Sequence, residues 1–502
     1  MTSLLNFDQV VALTQQTINT QFELMFLNGT IDKNLNFTIP SNDKIGVTAT
    51  LNSPTVSIAL NKETVNPQQV RFNINIDTGS ATYYSPVGKL ESEDISGYSI
   101  TLNVNLTKLT VNPDYTGLKV GNSTKAVINP FLNQDMYTVT AILLDFDNLN
   151  YSTAEIYNKN GVLDPNSTLT TLFSEITNAL IKDGNPYLIS VHPKDTQAVD
   201  TGIDAFKPTA VMYNTHLYNN TNAASDLSTY NMCIMNQQHP LPWTNVTLPK
   251  FTQNLITDTN TYGRMFISNS QFCSAYIEDL VLPVLKNAMG ANADFTKNGN
   301  SWGYDHQTNQ NNQHDGHGIV VGSDSGILDI YGNQQVHNSC TLNFNPADST
   351  ANSIVLNGSG YFYIKTDYYE RPLGIWAHDA WNSAKKSFSF TITLEAGADG
   401  KITISFTLNS PAAVTHTWEN FVIKFADLFN AGLQSSLDAT NGCYTSFENG
   451  EFSNFSSNAS SAFNVLESMV ILPAATSYFF KNASLDSSTG SPNIQFDLTT
   501  KN

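Results

Sequence analysis

Basic residues are scarce in this chain. Its 502 residues include 24 Lys and Arg against 43 Asp and Glu, a formal net charge of −19, and the four charged types together make up 13%. So acidic a chain repels phosphate backbones, which excludes general nucleic-acid binding. It also argues against wholesale adhesion to anionic lipid surfaces and leaves only a local patch for that role. No Lys/Arg cluster stands out to pair with phosphates, so selectivity for phosphoinositide headgroups is not expected. Cysteine is rare too. Cys233, Cys273, Cys340 and Cys443 are widely spaced and form no C-x-x-C pair. They are too few for a disulfide scaffold, and leave open one or two long-range bridges or four reduced, buried thiols. No run of about 18 apolar residues occurs, which excludes a helical membrane span.

Other absences narrow the chemistry. Met1 to Asp8 has no basic segment followed by an apolar run. A secretory signal is therefore not expected, and the chain is expected in the cytoplasm or released by a non-classical route. Triplets such as Asn28-Gly29-Thr30 and Asn245-Val246-Thr247 then reflect an Asn/Thr-rich composition better than glycosylation. There is no Gly-x-Ser-x-Gly elbow, no P-loop, no Rossmann fingerprint and no His-Glu-x-x-His. Nucleophilic, nucleotide-dependent and hydride-transfer chemistry has no support, and no cofactor is expected.

What is present is a large apolar fraction, 40%, enough for a sizeable core. The length fits three ordinary domains or two large β-rich ones. A first helix is expected over residues 8–26, where Val11, Ile18, Phe22 and Met25 share a face. The period then changes to two. Ile45 to Leu51, Val56 to Leu60, Phe72 to Ile76 and Tyr98 to Leu106 all alternate, the pattern of antiparallel strands with one buried face. Val139 to Tyr151, Tyr187 to His192 and Thr209 to Tyr218 also read as strands. Further helices are expected over 167–182 and 271–289. The second opens on Ser268-Asn269-Ser270-Gln271, which has capping-box form, and Pro283 should kink it or end it. Residues 298–312 read as loop. Strands resume at Ile354 to Leu356, Tyr361 to Tyr369, Phe388 to Leu394 and Ile402 to Leu408, with a hairpin turn at Asp399-Gly400. Two last helices are expected over 417–437 and 459–469. No βαβ rhythm appears, so a doubly wound parallel sheet is excluded.

Three groups of residues invite a chemical reading. Asp77-Thr78-Gly79-Ser80 resembles the active-site loop of pepsin-like aspartic proteases, with Asp324-Ser325-Gly326 as second candidate. That chemistry needs two carboxylates sharing a proton. Ile327 stands where the family has Thr or Ser, and Gly322 and Ser323 interrupt the strand that should lead into Asp324. The simpler reading of Asp77 to Ser80 is a strand end and turn. His306, His314, Asp315 and His317 have metal-ligand chemistry, but an irregular polar loop preorganises no geometry, and no metal is expected. Tyr361, Tyr363, Tyr368, Tyr369, Trp376 and Trp381 form an aromatic belt able to stack sugars or sit at a membrane interface, although strand core with polar tips is the commoner arrangement.

Several segments together resemble one family. They are Asp8-Gln9-Val10-Val11, Ile95 to Leu106, Phe266 to Phe272 leading to Leu282-Pro283-Val284-Leu285, Val470-Ile471-Leu472-Pro473, and Phe479 to Ala483. They look like the accessory forty-seven-kilodalton proteins of orfX-type clostridial neurotoxin clusters, in the TULIP superfamily of tubular lipid-binding proteins related to bactericidal/permeability-increasing protein. The resemblance implies an α+β, mostly antiparallel fold, with long helices wrapped by highly curved sheets in two units, 1–262 and 263–502. It implies no enzyme, and a role as a non-enzymatic protein binding lipid or a protein partner, as a toxin accessory or insecticidal factor. Fatty acid or another lipid, or a partner in a toxin complex, is then the expected ligand. The groove is expected along Phe272, Tyr276, Leu280 and Val284, the widest apolar face. Two alternatives stay open. One is a pore-forming β-rich toxin, for which Tyr98 to Leu106 just reaches the nine to eleven residues, roughly, that a spanning strand needs. The other is an aspartic protease using Asp77 and Asp324.

Overall fold

Strand outweighs helix about two to one, 47% against 23%, and the sheet curls into a half-barrel. The computed structural model describes residues 4–500 except 59–67, 86, 166, 197–204, 221–224, 243–250, 291–293, 311–318, 325–327, 371–376, 410–412, 421–425, 450–451, 469, 475–477 and 487–491. Every ladder between the strands of its three sheets is antiparallel. The expected α+β, mostly antiparallel class is what the chain adopts.

The six-stranded sheet organises the whole. Its order is Pro208–His216, Thr229–Asn236, Gln9–Thr14, Gly263–Ile267, Ile494–Thr500, Tyr478–Leu485. The central pair is antiparallel, with Gln9 opposite Ile267 and Leu13 opposite Gly263. Each central strand runs directly into a helix, Gln15–Leu27 in one case and the helical stretch from Asn269 to Ala288 in the other. Each is flanked outward by two further strands of its own half. A half-turn about the centre of the sheet therefore exchanges equivalent elements. On one side stands a nine-stranded sheet built around Gln69–Tyr84 and Ser99–Thr110. On the other stands an eight-stranded sheet built around Leu328–Asn343, Ser353–Glu370 and Ala377–Ala396.

The first helix departs from the sequence expectation. Gln9–Thr14 is a strand, and the helix begins only at Gln15. All six residues of Gln-Val-Val-Ala-Leu-Thr are buried. Val11 and Leu13 face the main core while Val10 and Ala12 face a second cluster with Phe7, Phe251 and Ile256. A strand covered on both faces does not alternate, so its pattern merges into the helical one that follows. Thr14 marks the true start, its hydroxyl accepting from the Thr17 amide at 3.2 Å.

Other boundaries move for similar reasons. The region expected as a helix from 417 opens as the strand Thr415–Asn420, and its helix runs Ala426–Glu448. The polar stretch expected as loop from 298 contains the strand Ser301–Gln310, with Trp302 and Tyr304 buried on one face. The helix Asn122–Leu132 has no counterpart among the sequence expectations, because Pro130 inside it and its Asn/Ser/Thr start mask Ile128 and Phe131. The helix expected over 167–182 is present over 168–181, opening as a tight 3₁₀ turn, Thr168–Leu172, before the α-helix Phe173–Ile181.

Glycine shapes the eight-stranded sheet. Gly358 lies opposite Phe390 and Gly360 opposite Phe388. A Cβ on Gly358 would stand 2.0 Å from the tip of the Phe390 ring, so the rings lie flat over the glycines. That cross-strand packing replaces the missing side chains and lets the strands bend. Phe388 and Phe390 in turn meet Phe447 of the helix Ala426–Glu448, at ring separations of 4.4 and 6.0 Å.

Candidate functional site

The helical stretch from Asn269 to Ala288 is the axis of the expected groove. Ser268 caps it, accepting from the Gln271 amide at 3.2 Å. The other half of the capping box is not made. The Ser268 amide donates to the Asp8 carbonyl, and the Gln271 side chain turns inward to donate to the Ala205 carbonyl at 3.1 Å. From Phe272 to Val281 the turn widens to a π-helix, which ends just before Pro283 in the first turn of Leu282–Ala288. Proline lacks the N–H that an α-helical turn requires, and a widened turn before it absorbs the mismatch.

The face through the four expected groove residues changes character along its length. Phe272 and Tyr276 are fully buried. Their rings lie 4.9 Å apart, Phe272 meets Phe344 at 5.4 Å, and Tyr276 meets Phe463 at 5.3 Å. Phe463 continues the chain of rings to Phe206 at 4.7 Å and Phe496 at 6.0 Å. Leu280 and Val284, further along, are only partly buried against the same core. The same stretch also carries polar contacts. Glu278 pairs with Lys297 at 2.6 Å and accepts from the Trp302 indole at 3.2 Å, and Asp279 accepts from the Gln237 amide at 3.1 Å.

Inside the aromatic chain sits a polar group with no counterpart. The Tyr276 hydroxyl is buried and finds no hydrogen-bond partner among the described residues, and the same holds for Tyr444 and Tyr478. Burial pushes the Tyr276 and Tyr478 phenols far above the usual range, so both stay neutral donors. An unsatisfied buried hydroxyl costs about 1–3 kcal/mol.

The protease candidates do not meet as loop ends. Asp77 lies within Gln69–Tyr84, exposed, and is the extra residue of a β-bulge: Thr50 pairs with Thr78 and Leu51 with Ile76. The expected strand end and turn at Asp77 to Ser80 is therefore corrected to a continuous bulged strand. Asp324 ends the strand Ile319–Asp324 of the other large sheet, paired with Leu328. Of the metal candidates, His306 sits in Ser301–Gln310 opposite Asn338, and His314, Asp315 and His317 lie outside the described residues. In the aromatic belt, Tyr361 and Tyr363 flank His337 at ring separations of 5.4 and 6.5 Å, Tyr368 and Tyr369 continue the same strand, Trp381 faces Lys365, and Trp376 lies outside the described residues. All four cysteines are free. Burial raises the thiols, to about 11 for Cys273 and about 12 for Cys340. No helix among the described residues is long and apolar enough to cross a membrane.

No protein-family model matches the chain, and no curated protein matches it. Among solved structures it is similar to P47 of Clostridium botulinum E1, with a TM-score of 0.49, 12% identity and 99% of each chain covered. It is similar to P47 from Clostridium botulinum A2, with a TM-score of 0.47, 11% identity, and 99% of this chain and 98% of that one covered. It is also similar to a lipopolysaccharide binding protein, with a TM-score of 0.34, 10% identity and 99% of each chain covered. Two of these three are of the P47 type that the sequence segments resemble. At these identities no ligand is carried over to this chain.

Proposed function

We propose that the chain is a non-enzymatic protein that binds an amphipathic lipid beside the helical stretch Asn269 to Ala288, in the second of two units spanning 1–262 and 263–502. The observation that carries the reading is the Tyr276 hydroxyl, buried on the apolar face with no partner among the described residues. A carboxyl or ester oxygen of a lipid accepting from it would relieve a penalty of about 1–3 kcal/mol. The alkyl chain would lie along Leu280 and Val284, the partly buried end of the same face. Apolar burial there contributes about 25 cal/mol per Å² and is insensitive to salt.

The test is extraction of lipid from the purified protein, read by mass spectrometry, with uptake of a fluorescent fatty acid. Leu280→Trp should reduce uptake while shifting the melting temperature by only a few degrees, roughly 1 kcal/mol. Tyr276→Phe should weaken retention of a ligand bearing a polar head. Absence of both extracted lipid and uptake in the parent protein overturns the proposal.

A further inference from the structure

The nine-stranded sheet meets the six-stranded one over a cavity of about 260 Å³ lined by Lys108, Thr140, Ile142, His192, Lys194, Ala210, Val211 and Leu241. The strand registers explain why these side chains converge. Lys108 lies opposite Ile142, and Ile142 opposite Ser190. Thr140 lies opposite His192, and Lys194 opposite Thr138. Opposed residues and their neighbours two positions along share one face of an antiparallel sheet. Lys108 and Lys194 therefore project to the same side from strands distant in sequence, over Thr140 and His192. Ile142, Val211 and Leu241 supply the apolar wall.

Among the described residues no carboxylate lines this cavity. Elsewhere several cations of this acidic chain are matched to acids: Arg71 to Glu155 at 2.6 Å, Lys119 to Asp32 at 2.8 Å, Arg264 to Asp497 at 2.7 Å and Lys297 to Glu278 at 2.6 Å. Two acids next to it in register, Asp195 and Asp145, are turned to the other face. Asp195 follows Lys194 on the opposite face of its strand and meets Lys207 at 3.6 Å. Asp145 borders an adjoining cleft with Lys108, Asp114, Asp147 and Asp183, and it pairs with Asn105 and so alternates to the other face. Lys108 is held in place, its ammonium donating to the Val211 carbonyl at 2.7 Å and lying 5.4 Å from the centre of the Tyr213 ring. Among the described residues, two of its three N–H bonds are left for another acceptor. Desolvation lowers the Lys108 pKa, and repulsion from Lys194 lowers it further. His192 is fixed beneath, its Nε2 2.7 Å from the Ser190 hydroxyl.

From this juxtaposition we infer that the cavity binds an oxyanion of the phosphate class, held between the Lys108 and Lys194 ammonium groups above Thr140 and His192. An anion there would relieve the like-charge repulsion and fill acceptor positions around Lys108 that no described residue fills. The apolar wall suits a phosphate that carries an organic group. A free phosphate and a phospholipid headgroup share this chemistry. The site is separate from the groove along Tyr276, and Tyr276→Phe should leave it unchanged.

The full-length protein is titrated with inorganic phosphate, followed by ³¹P line broadening and by melting temperature. In parallel it is mixed with phosphatidylcholine vesicles with and without phosphatidic acid. Saturable phosphate binding assigns a free oxyanion, and preference for the phosphatidic-acid vesicles assigns a headgroup. Either supports the inference when Lys194→Gln, and the double variant Lys108→Gln/Lys194→Gln, weaken it by about tenfold or more. Lys44→Gln, at an exposed site elsewhere, should leave binding as it was. The inference is overturned if the parent binds neither probe, if Lys194→Gln binds as the parent does, or if Lys44→Gln weakens binding equally.

Discussion

Gly79 packs directly on Ala49 of the neighbouring strand. A Cβ built on Gly79 would stand 2.6 Å from the Ala49 methyl and 2.9 Å from both the Ala49 Cα and the Thr48 carbonyl oxygen. The Asp-Thr-Gly motif is thus explained by a bulge at Asp77 and a close strand approach at Gly79. Gly79→Ala should destabilise the protein by about 1–3 kcal/mol, since backbone has to move. Asp77→Asn, at an exposed position, should stay within about 0.5 kcal/mol of the parent. Urea unfolding of the two variants checks this. Pepstatin-sensitive peptide cleavage lost in Asp77→Asn would reverse the reading.

Phe463 joins rings from distant parts of the chain, Phe206, Tyr276 and Phe496. Phe463→Ala should cost about 3–5 kcal/mol through the cavity it leaves. Thermal unfolding should register it as a large fall in melting temperature.

His216 is buried, and desolvation lowers its pKa below the ordinary value of 6.5, against a smaller opposing effect of the Asn254 side chain. The unfolded chain then binds a proton that the folded chain refuses. Folded stability is retained above about pH 6.5 and falls as pH drops from there towards the depressed folded pKa. His216→Gln should flatten the stability-versus-pH curve in that window. An unchanged slope would show that other groups govern it.

The four thiols should differ in reactivity. Cys233, Cys273 and Cys340 are buried and Cys443 is half-buried, and burial raises all four pKa values. A thiol-specific disulfide reagent should therefore react with Cys443 first at neutral pH, and with the other three only on unfolding. Rapid reaction of all four in native buffer would contradict this packing.

Local patterns make much of the fold legible. Tyr98 to Leu106 alternates and is a strand from Ser99, Ser268 caps a helix, and Asp399-Gly400 turns a hairpin in which Gly400 has φ +81°. Sequence and structure part where tertiary burial overrides periodicity. Val10 and Val11 are both buried because their strand is central, so no alternation announces it. The site is less legible. Phe272 and Tyr276 are visible as an apolar face, but that no described residue partners the Tyr276 hydroxyl is a property of the packed interior. Lys108 and Lys194 make no basic cluster in the sequence, because a cross-strand register, not adjacency, brings them together.

The two-fold arrangement of the six-stranded sheet imposes a timetable on synthesis. Gln9–Thr14 finds its first partner, Thr229–Asn236, once about half the chain has left the ribosome. Its other neighbour, Gly263–Ile267, emerges soon after, yet that strand must wait for Ile494–Thr500 to cover its far edge. Until then an unpaired apolar strand edge stands open while more than two hundred further residues emerge. Such exposed edges recruit other strands. Newly made chains interrupted before residue 494 should therefore be the ones that aggregate or require a chaperone, and the last strand acts as the latch that ends that exposure.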